Sequence, residues 1–165
     1  MASRKILPSK DQSNDVIKLR GAIEYALKRA DTGEVIARGW QENTVLSTGR
    51  TWILKKLMFS TNQTFIDRIY LGTCNTAANS TQAGILNSAA SQTFNVGTTD
   101  NSTSAAPHAI FCASWNSNET FTNSSVINEI GLYASSGTAV GRYVTGSTIN
   151  FGATNTLTVS YTLSN

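Results

Sequence analysis

Leu157-Thr158-Val159-Ser160-Tyr161-Thr162-Leu163 carries the plainest structural signal in the chain. Apolar side chains at 157, 159, 161 and 163 alternate with hydroxyls at 158, 160 and 162, and Thr156 extends the polar series. Successive side chains of a strand leave opposite faces, so strict alternation predicts a strand with one face in a core and the other in water. The wet face here is made entirely of hydroxyl groups. Working outward, the same period returns near the start of the chain. Ile17, Leu19, Ile23, Tyr25 and Leu27 point one way while Lys18, Arg20, Glu24 and Lys28 point the other. Ala30-Asp31-Thr32-Gly33 then supplies turn residues, with Gly33 free to adopt a positive φ, and Glu34 to Trp40 reads as the return strand of a hairpin.

Further strands are expected at Phe65–Gly72, Ser91–Val96, His108–Trp115, Val126–Tyr133 and Ala139–Gly146, the last two joined by Ser135-Ser136-Gly137. The period changes once. Between Asn43 and Ser60 the apolar residues Leu46, Ile53, Leu54, Leu57 and Met58 recur at helical spacing, Arg50, Lys55 and Lys56 fall outside, and Ser47 or Thr48 is available as N-cap. This predicts one helix at about residues 47–59. Eight short strands with turn-rich connections, and no β-α alternation after that helix, imply a mainly β domain, a β-sandwich or jelly roll spanning residues 17–165. The hairpin at 17–40 is expected to complete sheets begun after residue 65. Residues 1–16 are polar, contain Pro8 and show neither period, so they read as an extended N-terminal arm.

Composition narrows the function classes. The chain has 165 residues and a net charge of +3, but the charges are unevenly placed. Residues 1–70 hold 12 Lys/Arg against 7 Asp/Glu, whereas residues 71–165 hold only Arg142 against Asp100, Glu119 and Glu129. The second half keeps itself wet with 42 Ser, Thr and Asn among 95 residues, a neutral surface that offers little charge repulsion against association. No run of apolar residues is long enough for a membrane helix, and Met1 to Lys10 has no secretory apolar region, so a soluble protein without membrane contact is expected. The basic excess is small and not interleaved with aromatics, which argues against a nucleic-acid partner.

Chemistry-bearing residues are sparse. Cys74 and Cys112 have one histidine for company and no C-x-x-C spacing, so no metal or other cofactor is expected, and two free, partly buried thiols are favoured over a Cys74–Cys112 disulfide. Asp31-Thr32-Gly33 has the letters of an aspartic-protease site but the position of a hairpin tip. His108 lacks a nucleophile elbow, and Ser47-Thr48-Gly49-Arg50-Thr51 lacks the frame and lysine of a phosphate loop. Glu119 and Glu129 read as solvated or paired with Arg142 rather than as a glycosidase pair. The five N-x-[ST] sequons match what so much Asn, Ser and Thr produces by chance. Enzymatic activity is therefore not expected, and no residue is assigned a catalytic role. Trp52 reads as helix core, leaving Trp40 and Trp115 as the aromatics able to stack on a sugar.

Three segments taken together resemble a loose group of small virion proteins of tailed bacteriophages. They are Gln41-Glu42-Asn43-Thr44-Val45-Leu46-Ser47-Thr48-Gly49-Arg50 leading into the helix, Ile69-Tyr70-Leu71-Gly72-Thr73, and Ile127-Asn128-Glu129-Ile130-Gly131-Leu132-Tyr133 with downstream Arg142 and the closing Leu157-Thr158-Val159-Ser160-Tyr161. In that group an N-x-V-x-x-x-G helix start precedes I-x-L-G-T and I-x-E-I-G-L strands. The resemblance covers residues 17–163; this chain departs from it in a longer polar loop, Thr73 to Gln92, and a charged arm. It implies a non-enzymatic structural protein of the virion, assembled in the host cytoplasm. The expected role is capsid decoration, a cement protein binding the major capsid protein or neighbouring subunits; a tail, baseplate, head-tail or fibre-attachment subunit is the alternative, and a carbohydrate-binding module a second one. A homo-oligomer is expected, a trimer being one arrangement. The residues expected to meet partners are Arg4, Lys5 and Lys10 in the arm, Lys18, Arg20 and Lys28 on the first strand, and Trp40 and Trp115.

Overall fold

The computed structural model describes residues 19–58, 66–86, 88–93, 108–116, 126–152 and 154–164. Residues 1–18, with Arg4, Lys5 and Lys10 of the expected arm and Lys18, lie outside the described residues, as do Asp100 and Glu119. Eight strands and one helix follow in the order β1 (Arg20–Arg29), β2 (Val35–Val45), α1 (Ser47–Met58), β3 (Ile66–Gly72), β4 (Ser88–Thr93), β5 (His108–Trp115), β6 (Val126–Ala134), β7 (Ala139–Asn150) and β8 (Asn155–Ser164). The expected mainly β architecture with a single helix is what the chain forms.

All pairings are antiparallel, and they order the strands β4-β3-β6-β7-β2-β1-β8-β5. The two outermost strands, β4 and β5, approach each other, so the sheet curls until it is nearly closed. The hinge of this curl is β2. Residues 35–43 pair with β1, and only Thr44 and Val45 pair with β7, opposite Arg142 and Gly141. The early hairpin thus ties the two halves together, β1 against β8 and β2 against β7. Both halves feed one core, in which Ile23, Tyr25 and Leu27 of β1 and Leu157, Val159, Tyr161 and Leu163 of β8 join Ile69, Leu71, Ile130 and Leu132 from the other half. The alternation that predicted β1 and β8 is what places these side chains: burying each removes apolar area worth ~25 cal/mol per Å².

The turns obey local chemistry. Gly33 and Gly137 hold φ of 72° and 80° at the tips of the β1–β2 and β6–β7 hairpins, a region L side chains rarely enter. The Thr32 N–H donates to the Asp31 carboxylate at 2.8 Å, so Asp31-Thr32-Gly33 is turn scaffolding, as its position implied.

The helix differs from expectation in two details. Leu54, read as inward, is 53% exposed. The buried stripe runs instead through Leu46, Gly49 and the half-buried Ile53, one position off. Thr48 does not cap α1; its hydroxyl donates to the Ala139 carbonyl at 2.9 Å while the Leu46 N–H donates to the Val140 carbonyl at 2.9 Å, stapling the helix start onto β7. Gly49 sits so close that a Cβ there would strike the backbone of Val140. In an exposed helix Gly→Ala stabilises by ~1 kcal/mol. Here the obstacle is main chain and cannot rotate away, so Gly49→Ala is expected to destabilise by about 2 kcal/mol, read as a lowered denaturation midpoint. A raised midpoint would show that α1 does not seat on β7 in this way.

Candidate functional site

Two places concentrate polar chemistry, one buried and one exposed. The buried one is the pair Glu129 on β6 and Arg142 on β7, both with fully buried side chains (0% exposed). Arg142 meets one carboxylate oxygen of Glu129 through Nε at 2.8 Å and Nη2 at 2.7 Å, and its Nη1 donates to the Gln82 side-chain carbonyl at 2.8 Å. Of the two readings open for Glu129, solvated or paired with Arg142, the second holds. The carboxylate also accepts the N–H groups of Cys74 at 3.3 Å and Leu86 at 3.2 Å. Gln82 in turn accepts the Asn79 N–H at 2.9 Å, the Ser80 carbonyl accepts the Ser47 N–H at 2.8 Å, and the Tyr133 hydroxyl accepts the Ile85 N–H at 2.6 Å. A buried charge is tolerated only when paired and hydrogen-bonded, and this one meets the condition by fastening the 73–86 segment across β6 and β7. That ordering of a Ser/Thr/Asn-rich loop was not foreseen from the sequence. Its signal was the rarity of charge in the second half of the chain: a glutamate lying between Ile127 and Ile130 needs a buried partner.

The segments that carry the resemblance converge here. Asn43 packs against Gly21 and Gly141, Val45 is buried, Gly49 lies on Val140, and Ile69, Leu71, Ile130 and Leu132 are core. A cleft of about 210 Å³ opens beside the pair, between Gln41–Thr44 of β2, Ala77 and Ala78, and Arg142–Val144 of β7.

Cys74 and Cys112 are free thiols. Cys112 Sγ lies 3.4 Å from the Ser160 hydroxyl on the outer face. At Cys74 the Thr76 hydroxyl at 3.3 Å and the Thr76 N–H at 3.4 Å hold the sulfur and draw its pKa below the ordinary thiol value, against opposing effects of desolvation and Glu129. A lowered pKa leaves more thiolate at a given pH. Thr76→Val removes the larger of the two causes and is expected to move the alkylation profile of Cys74 to higher pH, followed by peptide mass mapping with Cys112 as internal reference. An unmoved profile would remove Thr76 as the cause. Among the described residues no cluster of His, Cys, Asp and Glu could hold a metal ion, and no helix is long and apolar enough to cross a membrane.

The exposed place is the outer face of β5, β8, β1 and β2. Its rows follow from the register: Ser114, Thr158, Ala26 and Arg38; Cys112, Ser160, Glu24 and Trp40; Ile110, Thr162, Ala22 and Glu42. Hydroxyls occupy its centre, and Trp40, 67% exposed, stands at its border. The expected partner residues fare unequally. Arg20 and Lys28 are exposed on this face, but eight residues of strand separate them by ~26 Å, beyond a Debye length of ~8 Å, with Glu24 between. They do not form one basic patch together, although Arg38, opposite Ala26, shares the Lys28 end of the face. Trp115 is not a surface residue at all: it is 2% exposed, on the core side of β5 opposite Leu157, and cannot stack on a ligand while the core is intact. His108 opens β5 opposite Ser164. No model of a protein family, no curated protein and no solved structure matches the chain.

Proposed function

We propose that the chain is a non-enzymatic structural subunit of a virion, one that decorates and clamps the capsid shell by binding the major capsid protein or neighbouring subunits. The observation that carries this reading is the hydroxyl-bearing face of β8, with Thr156, Thr158, Ser160 and Thr162, flanked on β5 by the uncharged Ser114, Cys112 and Ile110 and on β1 by Ala26 and Ala22 alternating with Lys28 and Glu24. Its β5–β8 part can be covered by another protein without stripping water from charges, the costly step in burying a polar surface. The resemblance of the 41–50, 69–73 and 127–133 segments to phage virion proteins points the same way. Residues 1–15 would reach the neighbouring subunit.

The test is binding to assembled particles. Removal of residues 1–15 is expected to weaken attachment, and electron microscopy is expected to place many copies over the shell. Undiminished attachment would sink the role of the arm, and a small ring at the portal or tail would favour the tail or head-tail alternative. A second reading, a carbohydrate-binding module, is favoured by the exposure of Trp40 alone. It predicts glycan-array signals that Trp40→Ala abolishes.

A further inference from the structure

We propose that residues 73–86 form a latch that opens as one body in the folded protein and governs access to Arg142 and the cleft beside it. This goes beyond the virion reading and does not depend on it. The segment leaves β3 at Gly72 and returns to β4 at Ser88, and those two residues are partners in the β3–β4 ladder. A loop whose ends are already held together can swing out without unpairing a strand. It contributes little to the core: no residue of 73–86 belongs to the apolar cluster, and Leu86 is 52% exposed. What holds it is polar. The Thr73 carbonyl accepts the Asn128 side-chain amide at 2.8 Å, the Ser80 carbonyl accepts the Ser47 N–H, and Gln82 accepts from Arg142. The N–H groups of Cys74 and Leu86 donate to Glu129, and that of Ile85 donates to the Tyr133 hydroxyl. Each of these bonds can be exchanged for one to water, so opening costs far less than unfolding, in which the core is lost.

Shared partners make the opening cooperative. Gln82 ties the latch to itself: its side-chain carbonyl accepts the Asn79 N–H as well as Arg142, and its amide donates to the Ala77 carbonyl at 3.3 Å. Glu129 ties the ends together, since one carboxylate receives both Cys74 and Leu86. Releasing one end therefore weakens the other. The ion pair beneath does not oppose the motion. Glu129 and Arg142 stand on adjacent strands of the β6–β7 ladder and keep each other when the latch leaves, while water returns to both. Desolvation is the costly part of burying such a pair, and opening relieves it. Ala77 and Ala78 form one wall of the cleft, so the same motion widens it towards Arg142, which also lines it.

The experiment is native-state hydrogen exchange on the full chain across low denaturant concentrations, read residue by residue by NMR. Two adjacent amides give the clearest contrast: the Ser47 N–H is held by the Ser80 carbonyl of the latch, and the Leu46 N–H by the Val140 carbonyl of β7. Ser47, Cys74, Ile85 and Leu86 are expected to share one protection factor, at least about a hundredfold below that of Leu46 and of the β1 and β8 amides. That factor is expected to be insensitive to denaturant, because opening exposes little apolar surface. Gln82→Ala is expected to speed exchange at each of the latch-held amides by a common factor of about ten, with Leu46, β1, β8 and the denaturation midpoint unchanged. The wild-type pattern decides by itself whether the latch opens, and the variant decides whether it opens as one body. Latch-held amides that exchange only together with the core would overturn the inference. So would protection at Ser47 that differs from that at Leu86, or a response to Gln82→Ala confined to residues 79–82.

Discussion

Glu129→Ala is expected to cost about 3–5 kcal/mol, the range seen when one partner of a buried ion pair is removed and the other charge is left without compensation. Against a typical total stability of ~5–15 kcal/mol, that loss leaves a marginal fold. The structure adds a reason specific to this chain. The carboxylate holds Arg142 and also the N–H groups of Cys74 and Leu86, the two ends of the segment that crosses β6 and β7. Its removal orphans three sets of donors at once. Hydrogen exchange is therefore expected to accelerate first at Cys74 and Leu86, with β1 and β8 protected until global unfolding. Glu129→Gln keeps an acceptor oxygen in place and should retain more of the loop than Glu129→Ala. The double variant Glu129→Met/Arg142→Met should lose less than the sum of the singles, because it buries no lone charge, yet remain below wild type with the loop donors unpaired. A coupling energy near zero in that cycle would mean the pair does not act as a unit.

Much of the fold was legible because it rests on one-sided burial. In β1 and β8 every second residue enters the core, and the alternation of Ile23, Tyr25 and Leu27, or of Leu157 to Leu163, records that directly. β2 is different. Residues 35–42 lie on an edge with much of both faces in water, so no alternation is imposed, and Gln41-Glu42-Asn43-Thr44 reads as a strand end although the strand continues to Val45. The helix start was legible from its period, but its seating was not, since stapling to β7 depends on Thr48, Gly49 and a main chain some 90 residues away. Of the candidate partner residues, Trp40 and Trp115 look alike in the sequence, and only the fold separates the exposed one from the buried one.

Trp115 shows how a parity argument outweighs an aromatic one, and it sets the second large effect. Phe111, Ala113 and Trp115 share a face by strand period, and that face is the core. Trp115→Ala is accordingly expected to cost about 3–5 kcal/mol, the range for emptying a large buried aromatic site. The indole N–H finds no hydrogen-bond partner among the described residues, so it contributes packing without a compensating polar contact. Trp115→Phe, which keeps most of the volume and removes that donor, should lose far less. Trp40→Ala should leave the denaturation midpoint almost unchanged. The two tryptophans thus separate fold from surface. A lowered midpoint for Trp115→Ala with particle or glycan binding intact at low temperature confirms a core residue. A variant as stable as wild type that has lost binding would place the indole on the surface and overturn the inward register of β5.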